Sequence, residues 1–286
     1  MIYVHSFSTV EQQIFRLLAI HSPLAQMDIQ CIQNEEYIER VHNFENHKTL
    51  IYSFQRLEFY THLDSFQHEI NQLKVLLNCI QKFKFEKIIL LSYPGAYSSS
   101  DNLFLQHKGL IEQMFVSTDI PCTILRVQGI CSPPLHINNF HHLFYNHSQH
   151  RYIVPKKSGT VIYSVNIRNL VNILTKACED SFAEHFDVFD KVSSLKNFLH
   201  YNSQNIKVSF LPTLYLYIQS YMNKYIAPTM FELFMRNGVP MYNFRTEKAF
   251  NISLHADMFE QLKSNQNHTV ENDFIFSKKG QLIPVS

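Results

Sequence analysis

Four consecutive apolar residues, Ile88-Ile-Leu-Leu91, stand between Lys87 and Ser92, directly after a long helical pattern. A run that is apolar at every position belongs to a strand covered on both faces, as in a parallel sheet. The pattern before it carries Phe66, Ile70, Leu73, Leu77 and Ile80 at helical spacing, which gives a long amphipathic crossover helix. A second helix over Phe104–Val116 and a strand over Cys122–Val127 repeat the unit. Upstream, Met1–His5, Asp28–Ile32 and Thr49–Phe54 read as strands, and Thr9 caps a helix with Val10, Ile14, Leu17 and Leu18 on one face. Strands that alternate with helices point to an α/β fold, a parallel sheet flanked by helices and joined by right-handed crossovers.

Past Ile130 the alternation loosens, and Ser132-Pro-Pro134 closes the last clear unit. The sequence predicts a helix around Ile137–Tyr145, a strand around Val161–Val165, a helix from Ile167 to Cys178 and a strand near Phe186–Phe189. Ser193 or Ser194 caps a further helix, and Ile206–Phe210 reads as a strand. Most of the rest to Leu262 reads as helix broken at Pro228 and Pro240. The expected organisation is a core over 1–130 and a C-terminal part over 131–286. That part adds sheet elements and a smaller, mostly helical lobe for a substrate or partner, and does not fold on its own.

Composition narrows the function classes. A net charge of +1 over 286 residues gives no general pull toward nucleic acid or an acidic membrane. The most apolar late segment, Phe210–Ile226, is interrupted by Pro212, Gln219, Asn223 and Lys224, too polar for a membrane span. No signal-peptide pattern opens the chain. The five cysteines form no CxxC pair and most lie in apolar runs, as in a cytoplasmic protein with reduced thiols.

Several segments carry a family pattern in order. Asn71-Gln-Leu-Lys-Val-Leu-Leu-Asn78 precedes the central strand, and Lys87-Ile-Ile-Leu-Leu-Ser-Tyr-Pro-Gly-Ala96 ends in a serine-bearing turn. Phe104-Leu-Gln-His-Lys108, Ile120-Pro-Cys-Thr-Ile-Leu-Arg126, Ser132-Pro133 and Tyr163–Val171 follow. Phe250–Leu254 and Phe259–Leu262 close the set. Together they resemble the extended and atypical short-chain dehydrogenases/reductases, in particular the NmrA-like and sugar-epimerase-like branches. The resemblance implies a Rossmann-like, NAD(P)-binding type of fold.

The resemblance also says where chemistry belongs, and there the residues depart from it. The family's YxxxK pair falls on Phe104 and Lys108. The i, i+4 spacing puts both on one helix face, but a phenylalanine has no proton to exchange. Phe104 reads as a core or cleft-lining aromatic. Lys108 is either a ligand contact or an ordinary helix lysine. Ser92 is either the family's turn hydroxyl or a strand-end serine, because the expected position falls near Pro94; Tyr97 and Ser98–Ser100 lie close by.

The pyrophosphate turn of such a fold needs glycines for a tight turn, close backbone approach and helix packing. No glycine precedes Gly95. Helix phase places His5, Ser8 and Glu11 at the cofactor-binding glycine positions; a one-residue shift gives Ser6, Thr9 and Gln12. Glu11 in the first helical turn suits the helix dipole but opposes a pyrophosphate. The expected cofactor state is therefore no NAD(P) or weak NAD(P).

A metal is not expected. His141, His142, His147 and His150 cluster, but no local Cys, Asp or Glu completes a ligand set. No HExxH, Walker or GxSxG motif is present. Two functions remain open. One is a degenerate short-chain dehydrogenase-like pseudoenzyme that senses a ligand, regulates or assembles, with an unknown small molecule or protein as partner. The alternative is an atypical NAD(P)-dependent oxidoreductase or epimerase-like enzyme that uses Lys108 and a non-standard cofactor site.

Overall fold

The computed structural model of the chain describes residues 2–5, 29–32, 49–53, 63–82, 84–132, 137–138, 140, 144–146, 148–155, 161–180, 183–201, 207–212, 244–250, 274–276 and 282–284. Its main sheet is built from β1 (Ile2–His5), β2 (Ile29–Ile32), β3 (Thr49–Ser53), β4 (Lys87–Ser92), β5 (Cys122–Arg126) and β11 (His185–Asp187). The order across the sheet is β11-β5-β4-β3-β1-β2, and every neighbouring pair is parallel. The chain builds β2 on one side of β1 and β3 on the other. The order therefore reverses at β1, and in open parallel sheets ligands bind outside the strand C-termini at such a switch point. The Rossmann-like fold expected from the alternation is the fold observed.

The side chains of β4 explain why its sequence is apolar throughout. Ile89 and Leu91 pack with Leu170, Val171, Leu174 and Ala177 of helix α3 (Ile167–Glu179). Ile88 and Leu90 face the opposite layer, with Leu73 and Ile80 of α1 (Leu63–Lys82) and Ile111 and Phe115 of α2 (Leu103–Val116). Both faces of the strand are dry, so period-two alternation has no selective role there.

The turn from α1 into β4 fixes where the central strand starts. Phe85 N donates to Ile80 O (3.1 Å), and Lys84 N donates to Gln81 O (3.2 Å). Lys84 sits at φ 52°. This is a Schellman closure with lysine at the position glycine usually takes, and Ile80 and Phe85 share one core cluster as its apolar clasp.

In the C-terminal part the strands at Gly129–Ser132, Arg151–Pro155 and Lys191–Ser194 were not anticipated. The sequence predicts a helix around Ile137–Tyr145; at its ends Ile137–Asn138 is β7 and Tyr145–Asn146 is β8, while Phe144 is helical and its N–H donates to Phe140 O at 3.2 Å. β7 pairs antiparallel with β6 (Gly129–Ser132), and β8 pairs antiparallel with β9 (Arg151–Pro155). Phe140 and Phe144 are buried in one cluster with Phe198. β10 (Val161–Asn166) lies between β6 and β12 (Lys191–Ser194), and β13 (Lys207–Leu211) pairs with β9. Helices α4 (Leu195–Tyr201) and α5 (Phe244–Phe250) and the pair β14 (Phe274–Phe276) and β15 (Leu282–Pro284) complete the described elements. The helix predicted over residues 10–18 and most of the helical reading between 211 and 262 lie outside the described residues. Among the described residues no helix is long and apolar enough to cross a membrane.

Cys122, Cys131 and Cys178 are free thiols, and burial pushes each up to about 12. Lys87, at the start of β4, is 7% exposed, and its Nζ has no hydrogen-bond partner among the described residues. Burial holds its pKa below the ordinary 10.5, against the opposing influence of Cys178 and Asp180. A lysine whose folded pKa is depressed costs stability most below that pKa. The cost fades as pH rises toward the unfolded value of 10.5. Lys87→Met is therefore expected to raise the urea midpoint at neutral pH and to flatten the rise of stability with pH. Urea titrations of both proteins across the alkaline range measure this; an unchanged pH slope would contradict it.

Candidate active site

The site grows from the C-terminal end of β4. Ser92 is its last residue, in register with Arg126 of β5. The chain then turns through Tyr93-Pro94-Gly95-Ala96, with Ala96 N donating to Tyr93 O at 3.2 Å. Gly95 has φ 76°, the conformation a Pro-Gly turn of this type demands at its third position. Asn102 then caps α2. Its side-chain oxygen accepts from Phe104 N (3.1 Å) and Leu105 N (3.2 Å).

Phe104 and Lys108 share one face of α2, as their spacing requires. Both are buried, at 1% and 3% exposure, and Lys108 Nζ lies 5.6 Å from the Phe104 ring centroid. The Tyr93 ring meets Phe104 edge-on at 5.3 Å. The Tyr93 hydroxyl is buried beside Gln128 without standard hydrogen-bond geometry. Burial holds the phenol well above its ordinary pKa, with Gln128 opposing, so it stays neutral. Ser92 is also buried, and its Oγ has no hydrogen-bond partner among the described residues.

One buried ion pair and one buried imidazole–carboxylate contact seat α2. Arg126 donates from Nε to Glu112 Oε1 (3.0 Å) and from Nη2 to Glu112 Oε2 (2.6 Å). It also donates from Nη2 to Ala96 O (3.2 Å) and from Nη1 to the Tyr97 hydroxyl (3.4 Å), with its guanidinium 4.9 Å from the Tyr97 ring centroid. Burial alone would lower the Arg126 pKa, but the bonds and charge of Glu112 and the Tyr97 hydroxyl hold it above its ordinary value. On the other flank His107 Nε2 and Glu69 Oε2 are 2.6 Å apart, joining α2 to α1. Phe66 packs on the same imidazole at 4.6 Å.

The structure places Ser92 at the C-terminal end of β4 and Phe104 and Lys108 on α2, the helix that follows it. His5 ends β1, two strands from β4, with its backbone in register with Tyr52. Ser8 and Glu11 lie outside the described residues, as do Ser6, Thr9 and Gln12. Glu112, Arg126, Tyr93 and Glu69 were not anticipated as site groups. One signal was available for Glu112: Phe104, Lys108, Glu112 and Phe115 recur at steps of four, four and three. Two ionisable residues on an apolar stripe imply buried partners.

Among the described residues no three potential metal ligands converge. His141, His142 and His147 lie outside them, and His150 is exposed.

No family model and no curated protein matches the sequence. Solved structures do. A nucleoside-diphosphate-sugar epimerase from Staphylococcus aureus superposes with a TM-score of 0.60 at 11% identity, covering 90% of this chain and 98% of its own. This is the fold of the NAD-dependent sugar epimerases and short-chain dehydrogenase-type reductases. The UDP-N-acetylglucosamine 4-epimerase from Bacillus cereus matches with a TM-score of 0.57 at 9% identity, over 94% of this chain and 97% of the other. A triphenylmethane reductase from Citrobacter, solved with NADP(H), gives 0.59 at 13% identity, over 87% and 94%. The epimerase-like resemblance of the sequence thus extends to the three-dimensional fold.

Every position at which helix phase places the glycine turn bears a Cβ, and residue 104, where the resemblance places the family's tyrosine, is a phenylalanine packed edge-on with Tyr93.

Proposed function

We propose that this chain is a degenerate short-chain dehydrogenase-like protein without standard redox catalysis. It acts through its fold, as a ligand-sensing, regulatory or assembly protein. One observation carries the reading: the tyrosine position is Phe104, which is 1% exposed and packed under Tyr93 and the Lys108 ammonium. The acid–base group is absent, and the ring that replaces it is part of the core. The missing glycines support the same reading from the cofactor side. Side chains stand where backbone N–H groups must reach a pyrophosphate, and each such loss costs on the order of 1–3 kcal/mol.

Calorimetric titration with NADH and NADPH is the test. Saturable binding is expected to be absent or weaker than about 1 mM, since each lost decade of affinity is about 1.4 kcal/mol. Phe104→Tyr alone is expected to leave the protein without dehydrogenase turnover, because the phosphate turn is also altered. The rival reading, an atypical NAD(P)-dependent oxidoreductase or epimerase-like enzyme, is favoured by one observation: Lys108 keeps the family position and is turned inward. A low-micromolar dissociation constant abolished by Lys108→Ala would select the rival.

A further inference from the structure

The net charge of +1 conceals a division. Residues 127–166 and 191–231 hold seven Lys and Arg and no Asp or Glu. The rest of the chain holds 18 Lys and Arg against 24 Asp and Glu, a formal charge of −6. The acid-free stretches are the ones that build both smaller sheets, β12-β10-β6-β7 and β13-β9-β8, with α4 joining β12 to β13 in the chain. Ordinary protein surfaces intersperse both signs, and a field of one sign attracts ligands of the other.

Local geometry concentrates that field on the sheet β13-β9-β8. β13 runs parallel to β9 with Lys207 in register with Arg151, so both side chains leave the same face. Arg151 donates from Nε to Gln149 Oε1 (2.7 Å) and from Nη1 to Ser209 Oγ (3.2 Å). These bonds orient the guanidinium without neutralising it. Among the described residues β13 is the edge of its sheet; there Phe210 is 42% exposed, and Lys196 Nζ of α4 lies 5.5 Å from its ring centroid. Lys196 and Lys207 are exposed, and Arg151 is partly so. None of the three cations meets a carboxylate among the described residues.

We propose that this sheet edge binds single-stranded nucleic acid, with phosphates on Arg151, Lys196 and Lys207 and an unstacked base against Phe210. Cations without acidic partners suit phosphates, whose contacts supply affinity independent of sequence. A guanidinium held in one orientation matches two phosphate oxygens at once. An exposed aromatic ring among cations is the platform on which single-stranded binders stack bases. A duplex keeps its base faces covered, and an acidic protein surface would use the cations but leave the ring without a role. The edge shares no residue with Ser92, Phe104 or Lys108, so binding there does not depend on whether a nicotinamide cofactor binds.

Fluorescence anisotropy of the full chain with labelled oligo-U and oligo-dT, each of about 12 nucleotides, tests the proposal and separates RNA from DNA. Saturable binding to at least one strand is expected. Its logarithm is expected to fall with the logarithm of salt concentration at a slope of about −2, from about 0.7 for each of three phosphate contacts. Lys196→Ala with Lys207→Ala is expected to weaken binding about 10-fold or more and to reduce the slope by about 1.4. Phe210→Ala is expected to weaken it about 5-fold or more with the slope unchanged, since stacking carries no net charge. These side chains are exposed, and far-UV circular dichroism checks that the variants stay folded. Lys74→Ala, at an exposed lysine of α1, is expected to leave affinity unchanged. Absence of saturable binding to both strands at about 50 mM salt would overturn the proposal. So would unchanged affinity in the double lysine variant. Displacement of the oligonucleotide by poly-glutamate as readily as by unlabelled strand, with Phe210→Ala binding like the parent, would also overturn it and assign the edge to an acidic protein.

Discussion

Gly109→Ala is expected to destabilise the protein by about 2 kcal/mol or more, although alanine is the better helix former. A Cβ at Gly109 would stand 2.2 Å from the Tyr97 carbonyl carbon, 2.3 Å from Ser98 N and 2.6 Å from Tyr97 Cα. All three obstacles are backbone, so no rotamer change relieves them. Intrinsic propensity favours alanine by about 1 kcal/mol in a helix interior. Overpacking into immobile atoms costs about 1–3 kcal/mol, occasionally more, and here the overlap is deep enough to exceed the propensity gain. The helix must back away from the 97–98 loop. That movement strains the Gln113–Ser98 hydrogen bond (2.7 Å) and the Arg126 contact with Ala96 O. Urea denaturation reads the loss as a lower midpoint at unchanged slope. An alanine variant as stable as the parent would mean that α2 does not lie against this loop.

Removing the carboxylate from Glu112 is expected to cost more. Glu112→Ala leaves the Arg126 guanidinium buried, with the Ala96 carbonyl and the Tyr97 hydroxyl as its remaining acceptors among the described residues. Side-chain exposures of 11% for Arg126 and 5% for Glu112 put the pair beyond effective solvent screening. Breaking one partner of such a pair costs about 3–5 kcal/mol, most of it the price of an uncompensated buried charge. The double variant Glu112→Leu with Arg126→Met is expected to regain most of that loss, since well-packed apolar replacements of buried pairs are often neutral or stabilising. A double-mutant cycle in urea measures the coupling. A single-variant cost below about 1 kcal/mol, the range of exposed pairs, would show that water reaches the guanidinium.

These predictions meet at one structural point. Gly109, Glu112, His107 and the Asn102 cap seat α2 against the sheet, and α2 carries Phe104 and Lys108. The helix is held by steric fit on one side, by a bidentate ion pair beneath and by the His107–Glu69 contact on the other flank. The helix that carries Phe104 and Lys108 is thus firmly seated, and the side chain at position 104 has no exchangeable proton.

How much of this was legible beforehand depends on the range of the interactions involved. β1 to β5 were readable within one or two residues, because a strand covered on both faces is apolar throughout and its helices are amphipathic. The i, i+4 spacing of Phe104 and Lys108 is local and sets both on one face of α2; the Asn102 cap that starts this helix was not read from the sequence. In the segment 137–145 the helical spacing of Phe140 and Phe144 agrees with the bond from Phe144 N to Phe140 O, whereas the ends, Ile137–Asn138 and Tyr145–Asn146, pair as strands with β6 and β9. Those pairings are tertiary, beyond the reach of periodicity.

The candidate site divides in the same way. The sequence by itself determined that residue 104 has no exchangeable proton and that no glycine precedes residue 95. Both are properties of residue type, and no fold can restore them. Only the tertiary structure decided that Lys108 is turned inward and that Glu112 is spent on Arg126. A charged residue in a sequence reads equally as solvated or buried until its partner is known. Here the partners lie 14 residues away for Glu112 and 38 for His107. Burial of a charge is settled by whether the fold delivers a counter-charge to hydrogen-bond distance, and that information is held in the packing of α2 against the sheet and α1, not in any local stretch of chain.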